Sequence, residues 1–157
     1  MSLDPDCMRE AIRSAREGIA HGQSPFGACI ECNGEIIASA HNQVFAGCDS
    51  TAHAEIIAIR EAQARLQRIE LSGCTIYTTT EPCPMCFAAC HWAKMERIVY
   101  GTSIEDVLAL GFSEMTISNE QMQAIGGSTL KIIGGYLLEE NHALLRDWAA
   151  LPDRKIY

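Results

Sequence analysis

"CTIYTTTEPCPMCFAACHWAK", residues 74–94, decides how this chain folds. The first seven residues are rich in β-branched and aromatic side chains, the composition of a strand. Pro84 then suits the first turn of a helix, where its missing N–H costs nothing. "RIVYGT" at 97–102 is again strand-like, so the segment reads as strand, helix crossover, strand.

Working outward, the same pattern extends to both termini. Upstream, Met8, Ile12, Ala15 and Ile19 recur with helical spacing from Asp4 to about Ala20, with Pro5 at the start and Gly22 past the end. "GACIECNGEIIASAHN", 27–42, reads as a hairpin turning at Asn33-Gly34, the pair that favours a tight type I′ turn. Thr51 is expected to cap a helix running to about Leu66. Downstream, Ile104–Leu110 is expected to give a helical turn or two. Asn119–Ile125 reads as a short helix closed by Gly126-Gly127, "TLKIIGG" as a fifth strand, and Glu139–Ala150 as a last helix. The expected fold is α/β: one domain over 1–157, a three-layer α/β/α sandwich on a mixed five-stranded sheet. Residues 152–157 follow as a tail.

Composition narrows the function. With 48% apolar and 20% charged residues among 157, the chain can bury a sizeable core. A net charge of −8 argues against a nucleic-acid partner. Arg60, Arg65 and Arg68 are spaced as the solvated face of a helix. No apolar run approaches the ~20 residues a membrane span needs. Asp4, Asp6, Arg9, Glu10 and Arg13 leave no room for a signal-peptide core, so the expected location is cytoplasmic. In a reducing compartment the eight cysteines are buried hydrophobes, metal ligands or nucleophiles rather than a disulfide framework. Cys29 and Cys74, in strand-like stretches, read as buried.

Chemistry gathers at two helix starts. Cys83 and Cys86 are three apart and face the same way. In "TAHAEIIAIR", residues 51–60, His53 and Glu55 are two apart and can serve one site only over the helix's first turn. Two thiolates and an imidazole make a soft donor set for Zn²⁺, and three protein ligands leave a fourth position for water or hydroxide. Glu55 can then carry protons for that water. A closed structural zinc would need a fourth ligand from Cys90, His91, Cys48 or His41. Cys90, a full turn deeper into the helix, reads instead as a core residue. C-x-x-C alone could also be a redox pair, but such a pair needs no His-x-Glu upstream.

His53-Ala54-Glu55 with Pro82-Cys83-Pro84-Met85-Cys86 matches the signature of zinc-dependent nucleobase deaminases. Over nearly its whole length the chain resembles the cytidine-deaminase-like zinc superfamily, and within it bacterial guanine deaminases. The matching stretches are "SPFGACI", "HNQV", "TAHAEIIAIR", "YTTTEPCPMC", "ACHWAK", "LGFSE" and the terminal "KIY". The resemblance implies one Zn²⁺ per subunit on His53, Cys83 and Cys86, with Glu55 as proton carrier. It implies base contacts from Asn42, Phe26, Ala54, Trp92 and Tyr157. Glu114 falls where those enzymes carry an aspartate that contacts the departing amino group; here it is one methylene longer, and Ser113 replaces a second acid. The implied reaction is guanine to xanthine plus ammonia in purine metabolism, by a homodimer whose tails are exchanged so that Tyr157 closes the partner's site. Cytosine or another aminated heterocycle, tRNA adenosine, and a non-enzymatic zinc-stabilised interaction module remain open alternatives.

Overall fold

The computed structural model describes residues 3–157. Asp4 caps the first helix, α1 (Pro5–Ala20), by accepting a hydrogen bond from the Asp6 N–H at 2.9 Å. α1 buries Cys7, Met8, Ala11, Ile12 and Ala15. The hairpin follows as β1 (Gly27–Cys32) and β2 (Glu35–His41). Asn33 and Gly34 both have positive φ, +56° and +82°, which a type I′ turn demands.

A short helix that the sequence did not announce comes next, α2 (Val44–Gly47). α3 (Ala54–Leu66) is preceded by His53 at its N-cap rather than Thr51. The expected Thr51 cap is thus displaced by two residues. Its hydroxyl instead donates to the Asp49 carboxylate at 2.7 Å, closing a turn of its own. β3 (Cys74–Thr80), α4 (Pro84–Trp92), β4 (Arg97–Thr102), α5 (Ile104–Leu108), α6 (Asn119–Gly126), β5 (Lys131–Ile133) and α7 (Leu138–Ala149) complete the order. α5 and α6 each begin with a capping box, on Ser103 and Ser118.

The five strands form one sheet in the order β2-β1-β3-β4-β5. β1 is antiparallel to β2 and β3, whereas β3, β4 and β5 are parallel, so the sheet is mixed as expected. Alternation sorts the core. Ile30, Ile76 and Ile98 point to the face covered by Ala54, Ala58 and Ala62 of α3 and Phe87 and Cys90 of α4. Cys29, Tyr77 and Val99 point to the opposite face, against Met8, Ala11 and Ile12 of α1. Val107, Phe112, Leu145 and Trp148 form a third cluster beside it.

The cysteine reading needs one correction. Cys32 and Cys74 are register partners on β1 and β3, with Cα atoms 4.4 Å apart, and are joined by a disulfide. Cys74 is buried as expected, but it is paired as well. The Arg68 guanidinium donates toward both sulfurs at 3.5 Å. Arg60, Arg65 and Arg68 do lie on the exposed side of their segment. Arg65 also donates to the Ile37 carbonyl at 2.9 Å, which covers part of the open edge of β2. Among the described residues no helix is long and apolar enough to cross a membrane.

Gly27 marks a close approach of α1 to the sheet. A Cβ there would fall inside contact distance of the Ala11 carbonyl oxygen and lie 2.8 Å from the Ala15 nitrogen. Gly27→Ala is expected to cost about 1–3 kcal/mol by overpacking, read as a lower denaturation midpoint at unchanged m-value. An unchanged midpoint would mean that α1 can lift off the sheet freely.

Candidate metal centre and pocket

β3 ends where α3 and α4 begin, so two helix starts meet at the end of the sheet's central strand. His53 and Cys83 are the N-cap residues of α3 and α4, both with extended backbone, and neither side chain caps its own helix. Both side chains are therefore free to turn toward each other. Cys86 lies one turn into α4 and is buried. His53 Nδ1 lies 3.7 Å from Cys83 Sγ and 3.5 Å from Cys86 Sγ. Tetrahedral zinc, with Zn–S near 2.3 Å and Zn–N near 2.0–2.1 Å, sets N···S separations at roughly 3.6 Å. The three donors thus fit that ion in type, charge and spacing, and their ligand atoms lie within 4.8 Å of one another.

The hydrogen bond with Cys86 pulls the Cys83 thiol down to about 4, with the His53 ring helping and burial opposing. The same pairing, with burial, drives Cys86 upward. Burial also works to lower His53, but the Cys83 hydrogen bond and the nearby Glu55 outweigh it and the net shift is upward.

The other proposed fourth ligands lie elsewhere. Cys90 is fully buried in the apolar core. His91 pairs with the Ser128 hydroxyl at 3.0 Å, and His41 with the Asn42 carbonyl at 2.8 Å. Cys48 is exposed. Among the described residues the group that gathers is His53, Cys83 and Cys86 alone.

In front of this group lies a small cavity of about 20 Å³, room for about one water, lined by Phe26, Asn42, His53, Glu55, Thr80, Glu81, Cys83, Glu114 and Tyr157. Glu55 is buried, at 8% exposure, and burial lifts its carboxyl to about 7. Burial also raises Glu114, and the Cys83 thiolate adds to it. Asn42 is fully buried, and its Oδ1 accepts from the Val44 N–H at 3.2 Å. That bond fixes the amide orientation and aims Nδ2 outward, where it donates to the Tyr157 hydroxyl at 2.6 Å. Tyr157 packs against Phe45, His53 and Phe112, with ring centroids 5.6–6.0 Å apart. The tail is held to its own chain by Ser24, whose hydroxyl donates to the Lys155 carbonyl at 3.3 Å. Ala54 is buried between His53 and Glu55 in the first turn of α3.

Trp92 is the expected contact that the fold does not bring in. It is 77% exposed, and the only ring beside it among the described residues is that of His91. Trp92 lies six residues beyond Cys86, about 9 Å along the helix axis and on another side. Conversely, Glu81 and Thr80 line the cavity, and Phe45 and Phe112 back its tyrosine, without having been singled out. A carboxylate ahead of Pro82-Cys83, closing a strand of otherwise neutral residues, was the available signal for Glu81.

Comparison with known proteins agrees with this geometry. The profile of the cytidine and deoxycytidylate deaminase zinc-binding region matches residues 1–102, and the chain belongs to that family. It is 40% identical over 114 residues to the guanine deaminase of Bacillus subtilis (strain 168), a match covering 72% of this chain and 73% of that one. It is 44% identical over 101 residues to the tRNA-specific adenosine deaminase of the same strain, covering 64% and 63%, so under two thirds of that relative. A solved guanine deaminase from Nitrosomonas europaea superimposes with a TM-score of 0.85 at 31% identity, covering 96% of this chain and 87% of that one. The fold is therefore that of the cytidine-deaminase-like enzymes, and the family is one of zinc-binding hydrolytic deaminases.

Proposed function

We propose that this chain hydrolytically deaminates a free nucleobase, with guanine as substrate and xanthine and ammonia as products. The observation that carries the reading is the covered cavity. His53 and Cys83 line a small cavity of about 20 Å³ that Tyr157 also walls, and an adjoining cleft of about 270 Å³ shares His53, Cys83, Glu114 and Tyr157 with it. Once Tyr157 gives way, the two together offer room on the scale of one flat base.

Each lining group has work to do on such a base. Asn42 Nδ2, once it exchanges Tyr157 for substrate, donates to a ring-nitrogen acceptor. Phe26 forms an apolar wall, held edge-on by Phe112 at 5.0 Å. Glu114 accepts from the amino group to be removed. When bound, Zn²⁺ supplies the Lewis acidity that makes water a nucleophile near neutral pH. Glu55 takes a proton from the attacking water and delivers it to a ring nitrogen. It takes the remaining proton next and hands it to the departing amine. Oxygen is added at the ring carbon, the exocyclic C–N bond breaks, and ammonia leaves. A carboxyl lifted toward neutrality both accepts and releases protons readily.

The same reading makes the protein a cytoplasmic homodimer of purine metabolism; the 152–157 tail seats Tyr157 on its own chain here, and exchange between subunits would set the partner's Tyr157 in the same seat. Trp92, Met115 and Ile125, 77%, 61% and 86% exposed, supply apolar surface that a second subunit could cover. The adenosine deaminase likeness supports a second reading, action on tRNA, against which the net charge of −8 weighs. Ammonia release from the zinc-loaded protein separates them when tested on guanine, adenine, cytosine, isocytosine, their nucleosides and a tRNA anticodon stem-loop. Guanine is expected to be fastest. Turnover of cytosine alone, or of the stem-loop alone, overturns the guanine assignment.

A further inference from the structure

Glu81 is buried to 6% exposure in a position where a charged side chain needs a reason. Its two carboxylate oxygens serve two different elements. Oε2 accepts from the Ile104 N–H at 3.2 Å, and Oε1 from the Asn119 N–H at 2.7 Å. Ile104 opens α5 and Asn119 opens α6, so the two bonds grip both ends of the segment 104–119. The grip is reciprocated. The fully buried Asn119 donates from Nδ2 to the Pro82 carbonyl at 2.6 Å, next to Cys83. The Glu81 N–H in turn donates to the Thr102 carbonyl at 2.8 Å, which ties the same residue to the end of β4.

What this segment carries gives the grip its meaning. Glu114 lies in its middle, in the irregular stretch between α5 and α6, and no hydrogen bond or ion pair is recorded for its own side chain among the described residues. Phe112, two residues earlier, is buried against Trp148 and touches the rings of Phe26 and Tyr157. The path between the clamped ends turns at Gly111, whose φ of +101° few other residues adopt. The placement of Glu114 therefore depends on where its two ends are held, together with the seat of Phe112.

We infer that Glu81 is a positioning residue for the deamination. Its carboxylate pins both ends of segment 104–119 and so sets where Glu114 meets the base. The inference rests on the reading of Glu114 as a substrate contact. Glu81 borders the cavity, but each of its oxygens is held by a backbone N–H of the segment, and its part in the reaction is played through Glu114.

The test is a double-mutant cycle on zinc-loaded protein, using the base selected by the ammonia screen. Glu81→Gln keeps the shape but sets an NH₂ group against one of the two backbone donors. It is expected to lower kcat/KM by about 10- to 100-fold, the range that small misplacements produce. Zinc content should stay at the parent level, while amide hydrogen exchange at Ile104 and Asn119 accelerates. In the Glu114→Ala background the same change should cost nearly nothing, because nothing is left to position. Losses that multiply in the double variant overturn the inference, as does a normal kcat/KM in Glu81→Gln with accelerated exchange. If Glu81→Gln does not fold, Glu81→Asp makes the same comparison, since it keeps both oxygens but draws them back. A parent chain that deaminates no base marks failure of the underlying reading. A silent Glu114→Ala in an active parent overturns this inference and leaves the deaminase assignment standing.

Discussion

Glu55→Gln is expected to keep its zinc and lose about 10²–10⁴-fold in kcat, the range of general acid–base catalysis by one side chain. Glutamine has nearly the shape of glutamate and can still hydrogen-bond to water. It cannot take up a proton and pass it on. Glu55 follows His53 by two residues but is not among the three gathered donors, so metal retention should be unaffected. Burial makes the substitution informative, because bulk water has little access to replace the lost carboxylate. The paired measurement is zinc content by atomic absorption beside steady-state ammonia release. Near-normal turnover in a zinc-replete Glu55→Gln protein would remove Glu55 from the chemistry.

Cys83→Ala is expected to give a protein that neither holds zinc nor turns over. Structural zinc sites, which use four protein ligands, bind with about 10–16 kcal/mol; about 3–4 kcal/mol per donor puts the loss of Cys83 at about 10²–10³-fold in affinity, enough for a chelator wash to leave the variant empty where the parent reloads. Cys83 sits at the N-cap of α4 and its side chain makes no capping hydrogen bond, so alanine should leave the fold nearly intact. That separates loss of metal from loss of structure. Stripping the parent with a chelator should abolish ammonia release, and adding Zn²⁺ should restore it. In Cys83→Ala the same addition should restore nothing. An active, zinc-free Cys83→Ala protein would end the metal assignment.

Much of the fold was legible because its signals are local. Asn33-Gly34 specifies a hairpin through the φ values its two residues tolerate, and Pro84 marks a helix start through its missing N–H. The β3-α4-β4 crossover followed from strand and helix compositions standing side by side. The errors had local causes too. Thr51 looked like a cap, but its hydroxyl had a nearer partner in Asp49. α2 spans only four residues and leaves almost no periodicity to detect. Trp92 was expected in the pocket from the resemblance alone, and the turn of α4 sets it on the exposed side of its own chain.

The sequence by itself determined the sheet class and pointed to the three donors that gather and to Glu55 beside them, because residue type and short spacing on helix starts are properties of a few consecutive residues. Tertiary structure alone decided that Cys32 meets Cys74, that Tyr157 reaches back 115 residues to Asn42, and that Glu81 joins the ends of α5 and α6. Those contacts are made by chain segments brought together only when the sheet closes and the helices pack. No short window of residues holds both partners, so no local pattern can announce the pair.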